Sequence, residues 1–302
     1  MPDPAVLLEG GAKALIYASL LVTIGASAAR WLLLPRAAAE LGGGCVAAIE
    51  QRIAHLAFAA AVLALAASGL RVWTHTVSAF GFDGARSWET IKLIAWQSRW
   101  GQDWKFQMIA AFILVVTSAM AWFRREAWPL ATLATLVFTA TLPLLGHAAG
   151  NGARMALHAV HILGAGFWMG TLAVVLLIRI PAASPDSMEP RLASGRARLL
   201  ILRRFSPIAL SSAMTVVGAG LVIAFLYVGS VSNLWTTAYG RILILKVALV
   251  VGVSICGYVN WKWLRRMYDE DEPSTAMVVL EVTLAAAVLI VTGFLTEMGH
   301  PA

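Results

Sequence analysis

Charge is scarce in this 302-residue chain: Asp, Glu, Lys and Arg make up 13% of it against 60% hydrophobic residues, and the mean hydropathy is +0.77. So few charges cannot cover a water-soluble globule holding this much apolar side chain, which leaves an integral membrane protein. Cysteine is nearly absent. Cys45 falls in a loop and Cys256 inside the seventh apolar run, at different membrane depths, so no disulfide framework is implied. No Cys-x-x-Cys is present of the kind a metal-pumping ATPase or thiol oxidase uses, and no Gly-Lys-Ser phosphate loop, nucleophile elbow or HExxH helix. ATP-driven pumping by this chain alone is thereby excluded, and the chain reads as a non-enzyme. A cleavable leader is not indicated either, because the amino-terminal stretch starts acidic and its apolar run continues far enough to span a bilayer.

Long apolar runs are what the sequence has in quantity. Crossing the hydrocarbon core takes roughly 20 residues of helix, and eight stretches qualify: 12–34, 51–73, 105–123, 128–146, 153–179, 204–229, 240–264 and 275–297. The expectation is an all-α polytopic bundle forming one domain over 1–302. Two connections are long. Residues 74–104 read as an outer loop containing a short interfacial amphipathic helix, with Trp73, Trp88, Trp96, Trp100 and Trp104 as belt anchors. Residues 180–203, rich in Pro and Ser and then basic, read as a cytoplasmic linker between two halves. The net charge of +7 points to lipid rather than nucleic acid. Assigned to their nearest loops, most Lys and Arg fall on one side, which puts both termini on the periplasmic side.

Within the stretch GHAAGNGARMALHAVHILGAGFWMG, residues 146–170, His147, Met155, His158 and His161 stand in strongly apolar surroundings. His158 and His161 are three apart and share a helix face, Met155 precedes them on the same stripe, and a short turn can bring His147 alongside. Imidazole with thioether suits copper, with Cu(I) favoured by softness and Cu(II) open, whereas Mg²⁺ and Ca²⁺ would want carboxylates. The bland alternative is a set of helix-joining hydrogen bonds and a flexible filler. Met169 lies on the same stripe about 16 Å deeper, where packing competes with a role as a stepping point. Gly164, Gly166 and Gly170 allow close helix approach. Weaker candidates are His55 near the other face, Met298 and His300 in the carboxy-terminal tail, and Cys45. Glu281 and Lys246 are read as an ion pair between neighbouring helices, with proton acceptance by Glu281 as an alternative.

Three segments resemble the CopD family of bacterial copper resistance and copper uptake proteins. They are GHAAG with HAVHILGAGFWMGTL, then RRFSPIALSSAMTVVGAGLVIAFLYVGS, then TTAYGRILILKVALVVGVSICGYVNWKWL with the Glu281 run. The resemblance implies a multi-pass inner-membrane protein moving copper ions from periplasm to cytoplasm beside a CopC-like periplasmic copper binder. It implies His147, His158 and His161 as positions to test. Two rival readings stay open: a membrane haem protein using His55, His147, His158 or His161 as axial ligands, and a copper-binding sensor or docking protein without transport.

Overall fold

A backbone that crosses hydrocarbon must satisfy its own N–H and C=O groups, which a helix does within one segment. The computed structural model describes residues 4–146, 148–180, 190–266 and 275–301, and these contain no strand. The chain is a polytopic helical bundle. Its helices are α1 (Pro4–Leu41), α2 (Gly43–Gly84), α3 (Trp88–Lys92), α4 (Arg99–Phe123), α5 (Arg125–Leu145), α6 (Gly152–Leu177), α7 (Pro190–Val228), α8 (Val231–Thr236), α9 (Ala238–Arg266) and α10 (Thr275–Leu295). Seven of them are long and apolar enough to cross a membrane, and the eighth expected span falls on α10, whose apolar part Val279–Leu295 is shorter.

Both long connections contain more helix than expected. α2 stays helical past the apolar run as far as a kink at Gly81 (φ +73), with a further turn to Gly84, because polar residues before the kink bond back to their own helix: Thr74 Oγ1 donates to the Arg71 carbonyl at 3.1 Å and Thr76 Oγ1 to that of Val72 at 2.7 Å. The short helix expected within 74–104 is α3, followed by a π-helical turn at Leu93–Gln97. In the expected linker, α7 already begins at Pro190, since proline suits a first helical turn and the Arg, Ala and Leu that follow are good helix formers. Residues 181–189 of that linker lie outside the described ones.

Helix ends are set by local chemistry. Gly42 adopts φ +75, which L side chains resist, and separates α1 from α2. Ser98 Oγ accepts from Gly101 N at 2.8 Å to start α4, and Asn151 Oδ1 accepts from Arg154 N at 3.0 Å to start α6.

α1 lies at the centre, packed against α2, α5, α6 and α10. In lipid there is little hydrophobic force between helices, so association rests on close van der Waals contact through small residues. At Gly170 of α6, an added Cβ would collide with the Leu21 carbonyl of α1, and at Gly166 it would lie 2.6 Å from the Ile24 Cβ. Gly166–Gly170 forms a π-helical turn at that crossing. Towards the chain ends, Gly293 of α10 meets the Gly10 carbonyl of α1 in the same way. One apolar cluster includes Ile16, Leu20, Ile24, Leu114 and Phe138, and a second, toward the other membrane face, includes Leu33, Ile49, Ile53, Trp128 and Val174. α7 and α9 present most of their apolar surface outward, with Leu210, Met214 and Phe225 exposed, as helices facing lipid do.

The start of α1 and the end of α10 meet at one end of the bundle, here termed the terminal face, joined by contact between Lys13 and Glu297. The opposite face is rich in arginine. There Glu50 pairs with Arg30 at 2.8 Å and Arg125 at 3.9 Å, and Arg204 pairs with Glu40.

The packing predicts unequal responses to one chemical change. Gly170→Ala should destabilise the detergent-solubilised protein by at least about 2 kcal/mol, whereas Gly218→Ala, with nothing within 4 Å, should be neutral or stabilising by under about 1 kcal/mol. Thermal unfolding followed by fluorescence size-exclusion chromatography measures both. Equal melting points would contradict the close approach.

Candidate functional site

α6 enters the membrane from the terminal face and carries His158 toward the outer end of α7. There the His158 Nε2 and the Tyr227 hydroxyl share a hydrogen bond at 3.2 Å, with the rings edge to face at 5.6 Å. Tyr227 is only 2% exposed. His300, from the tail after α10, lies against the same phenol with ring centroids 4.8 Å apart. Arg154 holds its guanidinium 5.6 Å from the Tyr227 ring, and Met298 packs on the cluster of Tyr227, Tyr239 and Leu295. Side chains from α6, α7 and the tail thus meet around one phenol. The site brings together two imidazoles and, beside them, a thioether.

The other expected members are distributed differently. His161, three residues further along α6, has its own partner on α7: its Nδ1 donates to the Val216 carbonyl at 3.0 Å. A carbonyl only accepts, so Nδ1 carries the proton and Nε2 keeps its lone pair. Gly220 makes room for this ring, since a Cβ there would lie 3.1 Å from His161 Cε1. Met155 is half-buried on α6, and His147 lies outside the described residues. Met169 packs against the apolar cluster near the opposite face, which fits the filler role. His55 stands edge-on to Trp122 at 4.4 Å, in the same part of α2 as Arg52 and remote from Tyr227 in the bundle. Among the described residues no group of three or more His, Cys, Asp or Glu is arranged to hold a metal ion, and His147, one of the three expected imidazoles, lies outside them. Cys45 and Cys256 are both buried and unbridged.

The expected Lys246–Glu281 ion pair is corrected. Glu281 Oε2 accepts from Asn260 Nδ2 at 2.6 Å, while Lys246 is about 21 Å from Asn260 along α9 by helical rise. Lys246 instead lies within electrostatic range of His161.

Also at the terminal face is a buried charge network that sequence reasoning missed. Lys13 of α1 pairs with Glu297 and donates to the Thr296 carbonyl at 3.2 Å. Arg71 of α2, 2% exposed, reaches Glu297 at 3.8 Å and donates to the Leu145 carbonyl at 3.1 Å. Glu9 bonds His75 Nδ1 at 2.8 Å, and His75 stacks on Trp100 at 4.0 Å. The available signal was depth: each charge sits within a few turns of the terminal-face end of an apolar run.

Fold and site together define a multi-pass helical membrane protein with two imidazoles against one phenol and buried ion pairs at one face. The chain belongs to the copper resistance protein D family: "Copper resistance protein D-like, N-terminal domain" matches residues 1–156 and "Copper resistance protein D" matches residues 199–295. His158 and His161 fall between the two matched segments. A curated relative, "Copper transport protein CutJ" of Bacillus subtilis (strain 168), is 28% identical over 142 residues, covering 47% of this chain and 25% of that protein. The match therefore spans about a quarter of that relative's length. No solved structure matches.

Breaking one arm of a buried ion pair leaves a charge in low dielectric, at about 3 kcal/mol or more. Lys13→Met should therefore lower stability by at least that amount, whereas Lys92→Met, at an exposed pair with Glu89, should change it by under about 0.5 kcal/mol. Chemical denaturation in detergent compares the two, and equal losses would contradict the buried assignment.

Proposed function

We propose that this protein carries copper ions across a bacterial inner membrane, from periplasm to cytoplasm, and that the ion enters at the Tyr227 mouth. The observation that carries this reading is the convergence of His158, His300 and Met298 on Tyr227 in a member of a copper resistance family. Imidazole and thioether donors favour a soft ion, so Cu(I) is the preferred cargo, with Cu(II) accepted through the imidazoles. His147 and Met155, expected near the same mouth, complete the candidate set. The arginine-rich opposite face supports a cytoplasmic assignment for that side, which makes the terminal face periplasmic. A CopC-like binder would then deliver its ion at the terminal face.

Deeper along α6, the Nε2 of His161 offers a single weak donor, and Met169 lies beyond it. Single-donor stops suit conduction, because a tight site would retain the ion. Glu281, hydrogen-bonded to Asn260 within the membrane, is a candidate proton acceptor for coupling.

The test is copper uptake into proteoliposomes together with metal content and absorbance of the purified protein. His158→Ala combined with His300→Ala should lower copper affinity by about tenfold or more and reduce uptake accordingly. Unchanged uptake would remove the mouth from the pathway. Bound copper without flux would favour a sensor or docking role, and a Soret band that shifts on reduction would favour haem.

A further inference from the structure

Met298 and His300 lie beyond the last residue of α10, Leu295, and a segment past a helix end frays unless it is tied down. The backbone of this tail is held by turns that continue α10, with Glu297 N donating to the Phe294 carbonyl at 3.0 Å and Met298 N to that of Leu295 at 3.4 Å. Glu297 then inserts its carboxylate between two cations of the other half of the bundle. Lys13 pairs with that carboxylate and also donates to the Thr296 carbonyl, so it grips the tail by side chain and backbone. Arg71 faces Glu297 Oε1 with the same terminal nitrogen that donates to the Leu145 carbonyl, at the end of α5 where the 146–151 turn begins. Two segments far apart in sequence, the tail and the end of α5, are therefore tied to one buried cluster.

Reach makes this consequential. His300 is three positions on from Glu297, and an extended chain spans at most about 10 Å over that distance. Fixing Glu297 confines the His300 imidazole to the neighbourhood of Tyr227, where it is found. Lys13 and Arg71 are 6% and 2% exposed, so their charges have no solvent alternative to these partners.

We propose that Lys13, Arg71 and Glu297 form a positioning clasp that holds the carboxy-terminal tail, and with it His300 and Met298, against Tyr227 opposite His158. The clasp does not touch the ion; it acts through the residues it orients. This inference rests on the copper-mouth reading above and adds to it the origin of the mouth's third wall.

The experiment uses the full chain in detergent and measures Cu(I) affinity by chelator competition, with X-ray absorption reporting the imidazole donors. Glu297→Gln should weaken Cu(I) binding by about tenfold, the low end for loss of an outer-shell partner, and remove one imidazole from the spectrum. His300→Ala should do the same, and the double variant should be no worse than either single one, because both remove one contribution. Glu297→Asp should recover most of the affinity. Should Glu297→Gln not accumulate as folded protein, Arg71→Lys takes its place: it keeps the charge on a differently shaped head group that cannot hold both Glu297 and the Leu145 carbonyl in the same geometry, and should also weaken binding while separating positioning from simple electrostatics. Additive losses for Glu297→Gln and His300→Ala, or full affinity and an unchanged spectrum in Glu297→Gln, would overturn the clasp. If His158→Ala weakens binding while the clasp variants bind like the parent, the clasp alone is wrong. If His158→Ala also binds like the parent, the mouth itself is wrong and the clasp falls with it.

Discussion

The close approach of α1 to its neighbours is the contact on which the remainder is built. At one level Gly170 lets α6 settle on the Leu21 carbonyl, and at another Gly293 lets α10 settle on that of Gly10. α6 carries His158 and His161, and α10 leads into the tail with Met298 and His300. Both donor-bearing segments are thus referenced to the same central helix, and neither could be moved without opening a void that lipid chains cannot fill well. The π-helical turn at Gly166–Gly170 belongs to this contact, since an extra residue in the turn changes how the two ends of α6 face their neighbours.

Much of this fold was legible because hydropathy is a local property. Seven of the spans, the helical bundle and the role of Gly166 and Gly170 in close helix approach follow from runs and stripes within a few turns. Helix lengths were less legible, because a window that tracks apolar content stops where Thr74 and Thr76 begin, although their hydroxyls bond back into the helix and let it continue. The Lys246–Glu281 pairing failed for a reason that counting could have caught. α9 runs away from the terminal face and α10 returns toward it, so a lysine early in α9 and a glutamate early in α10 lie at opposite depths.

The site was partly legible. His158 stood out as a polar group in an apolar run, but its partner Tyr227 did not, since a tyrosine near a helix end reads as an interfacial anchor. The ion cluster was invisible for a different reason: Lys13 and Thr296 are 283 residues apart, and nothing in the local pattern of either says that the first and last spans are neighbours.

Charge balance explains how such a cluster can stand next to a site proposed for a cation. Lys13 and Arg71 are matched by Glu297 and Glu9, with His75 bonded to Glu9, so the group is close to neutral as a whole. Left unmatched, a single positive charge about 10 Å from a bound monovalent ion would oppose it by about 1.7 kcal/mol at an effective dielectric of 20. Beneath the cluster, Ile16, Leu20, Ile24, Leu114 and Phe138 fill the first half of the bundle with apolar side chains and offer no donor to a desolvated ion. The seam between α6 and α7 does offer one, in the Nε2 of His161. On the proposed reading, therefore, the amino-terminal half shapes the entrance while adding little net charge to it, and the ion descends along α6 and α7.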